Sequence, residues 1–131
     1  MVHIGYFVTN RRRTADFYEQ VIGFARSGGF HVDPENMHDL TGLKCSAEVE
    51  VLEFGGVKIE LIEVAGVLPA KAPGTAAGIH HLGIKRQDAG AVVERARAFG
   101  CSVRSTFRTD HMTHYIEDPE GNIVEISEVT G

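Results

Sequence analysis

The sequence predicts an α+β chain made of two copies of one module, and three observations predict it. His3-Ile4-Gly5 recurs as His81-Leu82-Gly83, 78 residues on. The same 78-residue spacing carries Asn10 onto Asp88, each ahead of a helix-periodic stretch. The module ends also match: Gly56-Val57-Lys58-Ile59-Glu60-Leu61 parallels Gly121-Asn122-Ile123-Val124-Glu125-Ile126, now 65 residues apart. Self-similarity at a fixed spacing is the first thing a repeated architecture leaves in a sequence.

Each copy reads as a strand, a helix and two or three further strands. Alternating residues from His3 to Val8 form the first strand. Asn10 caps a helix over about 11–22, with Ala15, Tyr18, Val21 and Ile22 at helical spacing. Gly23 ends it, since glycine reaches the positive φ of a helix C-terminus. Glu48–Phe54 and Val57–Val64 follow as strands joined at Gly55-Gly56. In the second copy, Asp88 caps a helix over about 89–99 with Val92, Val93, Ala96 and Phe99 inward, and Gly100 ends it. Ser102–Arg108, Thr113–Glu117 and Asn122–Val129 are the later strands, with Asp118-Pro119-Glu120-Gly121 as a turn. The first copy is longer, and its extra length falls at Gly28-Gly29 and the polar stretch His31–Asp39, read as a loop. Residues 66–78 read as a linker, so module one runs to about residue 65 and module two from about 79 to 131 of a single domain.

Composition narrows the function. Hydrophobic residues make up 43% and charged residues 24%, ordinary values for a globular protein. The net charge of −5 and a single basic cluster, Arg11-Arg12-Arg13, argue against a nucleic-acid partner. That cluster reads as a solvated helix face, with an anion contact as the other option. No apolar run approaches a membrane span, and Val2-His3 enters a strand pattern at once, so the expectation is a cytoplasmic protein without a signal peptide. Cys45 and Cys101 stand far apart and read as reduced, buried thiols.

Strand parity then selects candidate ligands. Side chains alternate between the two faces of a strand. Ile4, Tyr6 and Val8, Ile59 and Leu61, Leu82 and Ile84, and Val124 and Ile126 form the apolar faces that can lie under a helix. His3, Glu60, His81 and Glu125 all fall on the opposite face, with Gly5 and Gly83 beside them. Two imidazoles and two carboxylates suit one divalent metal ion such as Zn, Ni, Co, Mn or Fe. Closed structural zinc sites use more thiolate, so this set points to a centre with open positions. His80 is set aside in favour of His81 by parity and by the repeat. His31 and His38 fall in the expected loop, and His111 and His114 ahead of a strand. Phe7, Ile62 and Lys85 share the ligand face and are the expected substrate-binding residues, under the loop at 28–45.

At these residues the chain resembles the vicinal oxygen chelate superfamily of glyoxalases, epimerases, fosfomycin and bleomycin resistance proteins and extradiol dioxygenases. His3-Ile4-Gly5, Asp16-Phe17-Tyr18, Val21-Ile22-Gly23-Phe24, Lys58-Ile59-Glu60-Leu61, Gly78-Ile79-His80-His81-Leu82-Gly83 and Asp118-Pro119-Glu120-Gly121-Asn122 carry the resemblance. It implies two βαβββ modules forming a curved mixed sheet with helices outside, the metal in the concave face, and a homodimer. It gives His3, Glu60, His81 and Glu125 the ligand role, and Glu125 or Glu60 the role of catalytic base. The activity it implies is that of a metal-dependent lyase or isomerase, like lactoylglutathione lyase or the epimerases. Such an enzyme acts on a small substrate with adjacent oxygens through an enolate-like intermediate. An Fe(II)-dependent dioxygenase and a non-catalytic small-molecule-binding resistance protein are the alternatives. The chain departs from glyoxalase I at Phe7 and Val64, where an arginine and an asparagine are common. It departs from the epimerases at Asp118-Pro119-Glu120, where His-Pro-Lys is usual.

Overall fold

A computed structural model describes residues 2–66, 68–69 and 76–129. The chain divides into two compact units, Met1–Ala70 and Lys71–Gly131. The linker expected at residues 66–78 lies largely outside the described residues.

The first unit runs β1 (Val2–Phe7), α1 (Arg11–Phe17), a π-helical turn (Tyr18–Ile22), β2 (Ala25–Val32), α2 (Pro34–Thr41), β3 (Ala47–Phe54) and β4 (Val57–Val64). Its sheet has the order β1-β4-β3-β2, with β1 parallel to β4 and the other pairs antiparallel. The second unit runs β5 (His81–Arg86), α3 (Ala89–Phe99), β6 (Val103–Arg108), β7 (His111–Glu117) and β8 (Ile123–Glu128). Its order, β5-β8-β7-β6, repeats the first, again with one parallel pair, β5 with β8. The expected α+β class and the repeated module are both present.

The helix expected over 11–22 is α for its first part and π for its last. The Asn10 side chain accepts from the Arg13 N–H as the cap. At the far end the N–H groups of Gly23 and Phe24 both donate to the Tyr18 carbonyl, at 3.0 and 2.8 Å. The widened turn leaves Tyr18, Val21 and Ile22 all buried. Asp88 does not cap α3 with its side chain. Arg86 takes both carboxylate oxygens, at 2.8 and 2.9 Å, and this hydrogen-bonded guanidinium holds the Asp88 carboxyl below its usual range. Arg11 is not a free helix cation either. It pairs with Glu63 at 3.0 Å and lies 3.8 Å from Glu50.

The loop expected at 28–45 is instead strand β2 followed by helix α2. β2 pairs only with β3 and is exposed along nearly its whole length, so it lacks the alternation that marks a half-buried strand. A bulge between Arg26 and Gly28 breaks the period further. Gly29 is required where it stands: a Cβ there would lie 2.8 Å from the Val49 carbonyl oxygen. α2 is a short, capped helix. The Asp33 carboxylate accepts from the Asn36 N–H at 2.8 Å, Pro34 opens the first turn, and Gly42 at φ 79° closes it. Met37, its one buried residue, packs with Ala47 and Val64 and against half-buried Val32, Leu43, Cys45 and Ile62. Asp33→Ala is expected to lower stability by about 1 kcal/mol. Urea denaturation measures this, and a loss confined to α2 will also show as faster amide exchange over residues 34–41.

The face of the first sheet under α1 holds the larger core. Tyr18 meets Phe17 edge-on at 4.9 Å and Phe24 at 5.5 Å, and Phe24 meets Phe54 at 5.4 Å. Leu52, Ile59 and Leu61 are fully buried with them. In the second unit, α3 packs on β6, β7 and β8 and buries Val92, Val93 and Ala96 together with Ile116, Val124 and Ile126. Cys45 and Cys101 are free thiols, half-buried rather than fully buried.

Candidate metal-binding site

The sequence-predicted ligands come together in pairs, one pair in each unit. In the first unit, β1 and β4 run parallel and place His3 Nε2 3.8 Å from Glu60 Oε2. In the second, β5 and β8 place His81 Nε2 3.1 Å from Glu125 Oε2. The register is the same in both: Gly5 stands opposite Glu60, and Gly83 stands opposite Glu125. A Cβ on Gly83 would lie 3.7 Å from Glu125 Oε1, and one on Gly5 3.3 Å from Ile62 Cδ1. A side chain at Gly83 would thus touch the Glu125 carboxylate, and one at Gly5 would press on Ile62. Among the described residues, no group of three or more His, Cys, Asp or Glu forms a metal cluster.

The second pair has supporting groups that sequence reasoning missed. Ser127 Oγ donates to Glu125 Oε1 at 3.0 Å, leaving Oε2 toward His81. His80 Nδ1 lies 2.9 Å from His81 Nδ1, so the two ring nitrogens of His81 face different partners. Hydrogen bonds of this kind orient a ligating imidazole or carboxylate. Tyr115 packs at a tilt against both rings, 5.1 Å from His81 and 5.5 Å from His80. Tyr115 is the cross-strand partner of Glu125, whereas the matching partner of Glu60 is Val51. Strand parity puts Ser127 on the Glu125 face without showing the contact, and Tyr115 follows only from the β7–β8 register. The position of His80 beside His81 has no strand signal, because β5 begins at His81.

The other candidates fall in several environments. Phe7 is half-exposed on the ligand face of β1, and Ile62 is half-buried against the Met37 cluster. Lys85 is exposed on the ligand face of β5, opposite Ser127. His111 and His114 lie within β7 rather than ahead of it. His114 is on the opposite face, buried, with Nδ1 2.7 Å from Ser105 Oγ. His111 Nδ1 is 2.8 Å from Asp110 Oδ1. His31 lies in β2 beside Glu48, and His38 is exposed on α2. No helix among the described residues is long and apolar enough to cross a membrane.

Two units of one topology, each with a His–Glu pair on the sheet face away from its main helix, define a glyoxalase-type fold. The chain belongs to the Glyoxalase/Bleomycin resistance protein/Dioxygenase superfamily, whose pattern it matches over residues 1–126. No curated relative matches it by sequence. Among solved structures, a glyoxalase family protein from Bacillus cereus superposes with a TM-score of 0.86 at 21% identity, covering 100% of this chain and 94% of the other. The trypanothione-dependent glyoxalase I of Leishmania major gives a TM-score of 0.75 at 19% identity, covering 98% and 85%. A fosfomycin resistance protein from Mesorhizobium loti gives 0.67 at 15%, covering 99% and 92%. At these identities the likeness is one of fold.

Proposed function

We propose that His3, Glu60, His81 and Glu125 together hold one divalent metal ion in a homodimeric lyase or isomerase of the glyoxalase or epimerase type. The observation that carries this reading is the repetition of the His–Glu pair, with a glycine opposite the glutamate, at equivalent register in both units. The two pairs supply two nitrogen and two carboxylate donors, a set that fits Zn, Ni, Co, Mn or Fe(II). Within each pair the His Nε2 and a Glu carboxylate oxygen are neighbours, 3.8 Å apart in the first unit and 3.1 Å in the second.

When bound, such an ion supplies Lewis-acid polarisation of two adjacent substrate oxygens. The chain supplies the rest. His3, Glu60 and His81 would hold the ion beside the substrate. Glu125, once displaced from the ion, would accept a proton from a carbon next to a carbonyl, while Ser127 orients the carboxylate through Oε1. Glu60, which has no hydroxyl donor of this kind among the described residues, is the second candidate for the base. Phe7 and Ile62 offer apolar contact to the substrate, and Lys85 offers a cation.

Elemental analysis of the purified protein tests the reading. A bound divalent metal is the expected result, and His81→Ala should weaken it by more than the roughly 10–100-fold that loss of a supporting hydrogen bond costs. Protein that neither carries nor takes up a divalent metal would overturn the proposal in favour of a metal-free binder. Iron accompanied by oxygen uptake would move the assignment to a dioxygenase. Turnover is then sought with a methylglyoxal–glutathione adduct, 2-oxo acids and acyl-CoA thioesters.

A further inference from the structure

A second feature shares the face of the second sheet that carries Glu125. Thr113 and Tyr115 on β7 pair with Ser127 and Glu125 on β8. Thr106 and Arg104 on β6 pair in turn with Thr113 and Tyr115, and Arg108 pairs with His111. Directly paired residues of antiparallel strands put their side chains on one face. Arg104, Thr106, Arg108, Thr113 and Tyr115 therefore continue the surface that begins at Glu125, and with Ser105 they line a cavity of about 260 Å³.

Two observations give this cavity its chemistry. The first is the state of its cations. Arg86, Arg95 and Arg97 in the same unit each have a carboxylate partner, at 2.8, 3.8 and 3.4 Å. Arg104 and Arg108 have none among the described residues. The second is Thr113. Its side chain is 5% exposed, yet its Oγ1 has no hydrogen-bond partner among the described residues. A buried hydroxyl left without a partner is costly, and nearly all such groups in folded proteins are satisfied by something. Thr113 lines the same cavity as Arg104 and Arg108, which are exposed and carry no ion pair among the described residues.

We propose that this cavity is an oxyanion subsite, and that the substrate is an anion whose carboxylate or phosphoryl group is held by Arg104 and Arg108, with the Thr113 hydroxyl, covered in this structure, turning about χ1 to donate to it. Guanidinium groups present forked N–H donors that match planar carboxylates and tetrahedral phosphates alike. Tyr115 spans the two features: it lines the cavity and packs against His81. The identity of the anion as substrate rests on the metal-centre reading above, whereas the anion contact itself does not.

Isothermal titration of the protein with inorganic phosphate and with pyruvate, as purified and again after chelation, tests both layers. Saturable binding of either anion is expected. Arg104→Gln/Arg108→Gln should weaken it at least about tenfold, since two charge-assisted contacts are lost. Arg104→Lys/Arg108→Lys should recover part of the loss, Thr113→Val should weaken it several-fold, and Arg97→Gln should leave it unchanged. Phosphate preferred over pyruvate assigns a phosphoryl or phosphonyl substrate, and the reverse assigns a carboxylate. Failure of both anions to bind, or equal affinity in the wild type and the double glutamine variant, overturns the subsite. Metal content measured on the same samples separates the two proposals. Metal-free protein that binds anion through the arginines keeps the subsite and removes the metal centre. Metal-loaded protein that binds no anion does the opposite.

Discussion

Glu125→Gln is expected to lower kcat by about two to four orders of magnitude on whichever substrate of the panel is turned over, while the protein keeps metal. The amide has the shape of the carboxylate and retains one oxygen donor, so the proposed centre, with three unchanged ligands, should persist. Ser127 Oγ, which lies 3.0 Å from Glu125 Oε1, can accept from an amide NH2 at that position and leave the oxygen toward His81. What the amide lacks is basicity, and a proton-abstracting role depends on that. The comparison that decides the role is with Glu60→Gln, made in the pair that lacks the serine contact. Glu60→Gln should weaken metal binding with a smaller loss of kcat. Unchanged kcat in Glu125→Gln removes Glu125 as the base, and a larger loss in Glu60→Gln transfers the role to Glu60.

Phe17→Ala is expected to destabilise the first unit by about 3–5 kcal/mol. Phe17 is fully buried at the last position of α1, edge-on to Tyr18 at 4.9 Å. Tyr18 in turn contacts Tyr6 at 6.3 Å and Phe24 at 5.5 Å, so the cavity opens at one end of a chain of rings. Those rings lean on a π-helical turn whose hydrogen bonds converge on the Tyr18 carbonyl. A loss of this size rivals the lower range of total folding stability, roughly 5–15 kcal/mol. Urea denaturation followed by far-UV circular dichroism measures it. A change under about 1 kcal/mol would show that neighbouring side chains refill the space.

The residues that carry the proposed function differ in how far local pattern reveals them. His3, Glu60, His81 and Glu125 lie in strands half-buried on one face, where apolar alternation reports side-chain direction directly. Arg104, Thr106 and Arg108 also alternate along β6, but Phe107 between the two arginines is 65% exposed, so no buried face marks the other as special. Their place beside Glu125 follows only from two successive strand pairings, β6 with β7 and β7 with β8. Those pairings join residues through backbone hydrogen bonds, which carry no residue code.

The same division explains β2 and α2. β2 is an edge strand stabilised by its pairing with β3 and by Arg26, which reaches Asp16, Glu19 and Glu50, rather than by a buried stripe of its own. α2 did leave a signal in Asp33-Pro34 and Gly42, a cap, a first-turn proline and a stop. With Met37 as its single buried residue, it offered no apolar period to confirm them. Sequence by itself determined the repeat, the Asn10 cap of α1, the glycine stops at Gly23 and Gly100, and the face on which each His and Glu stands, because these are local consequences of backbone period and residue type. Only the tertiary structure decided the register that sets a glycine opposite each glutamate, the serine, histidine and tyrosine around the second pair, and the arginine-lined cavity beside it. Those depend on which strands pair and on the burial that pairing creates, and both join residues far apart in the chain.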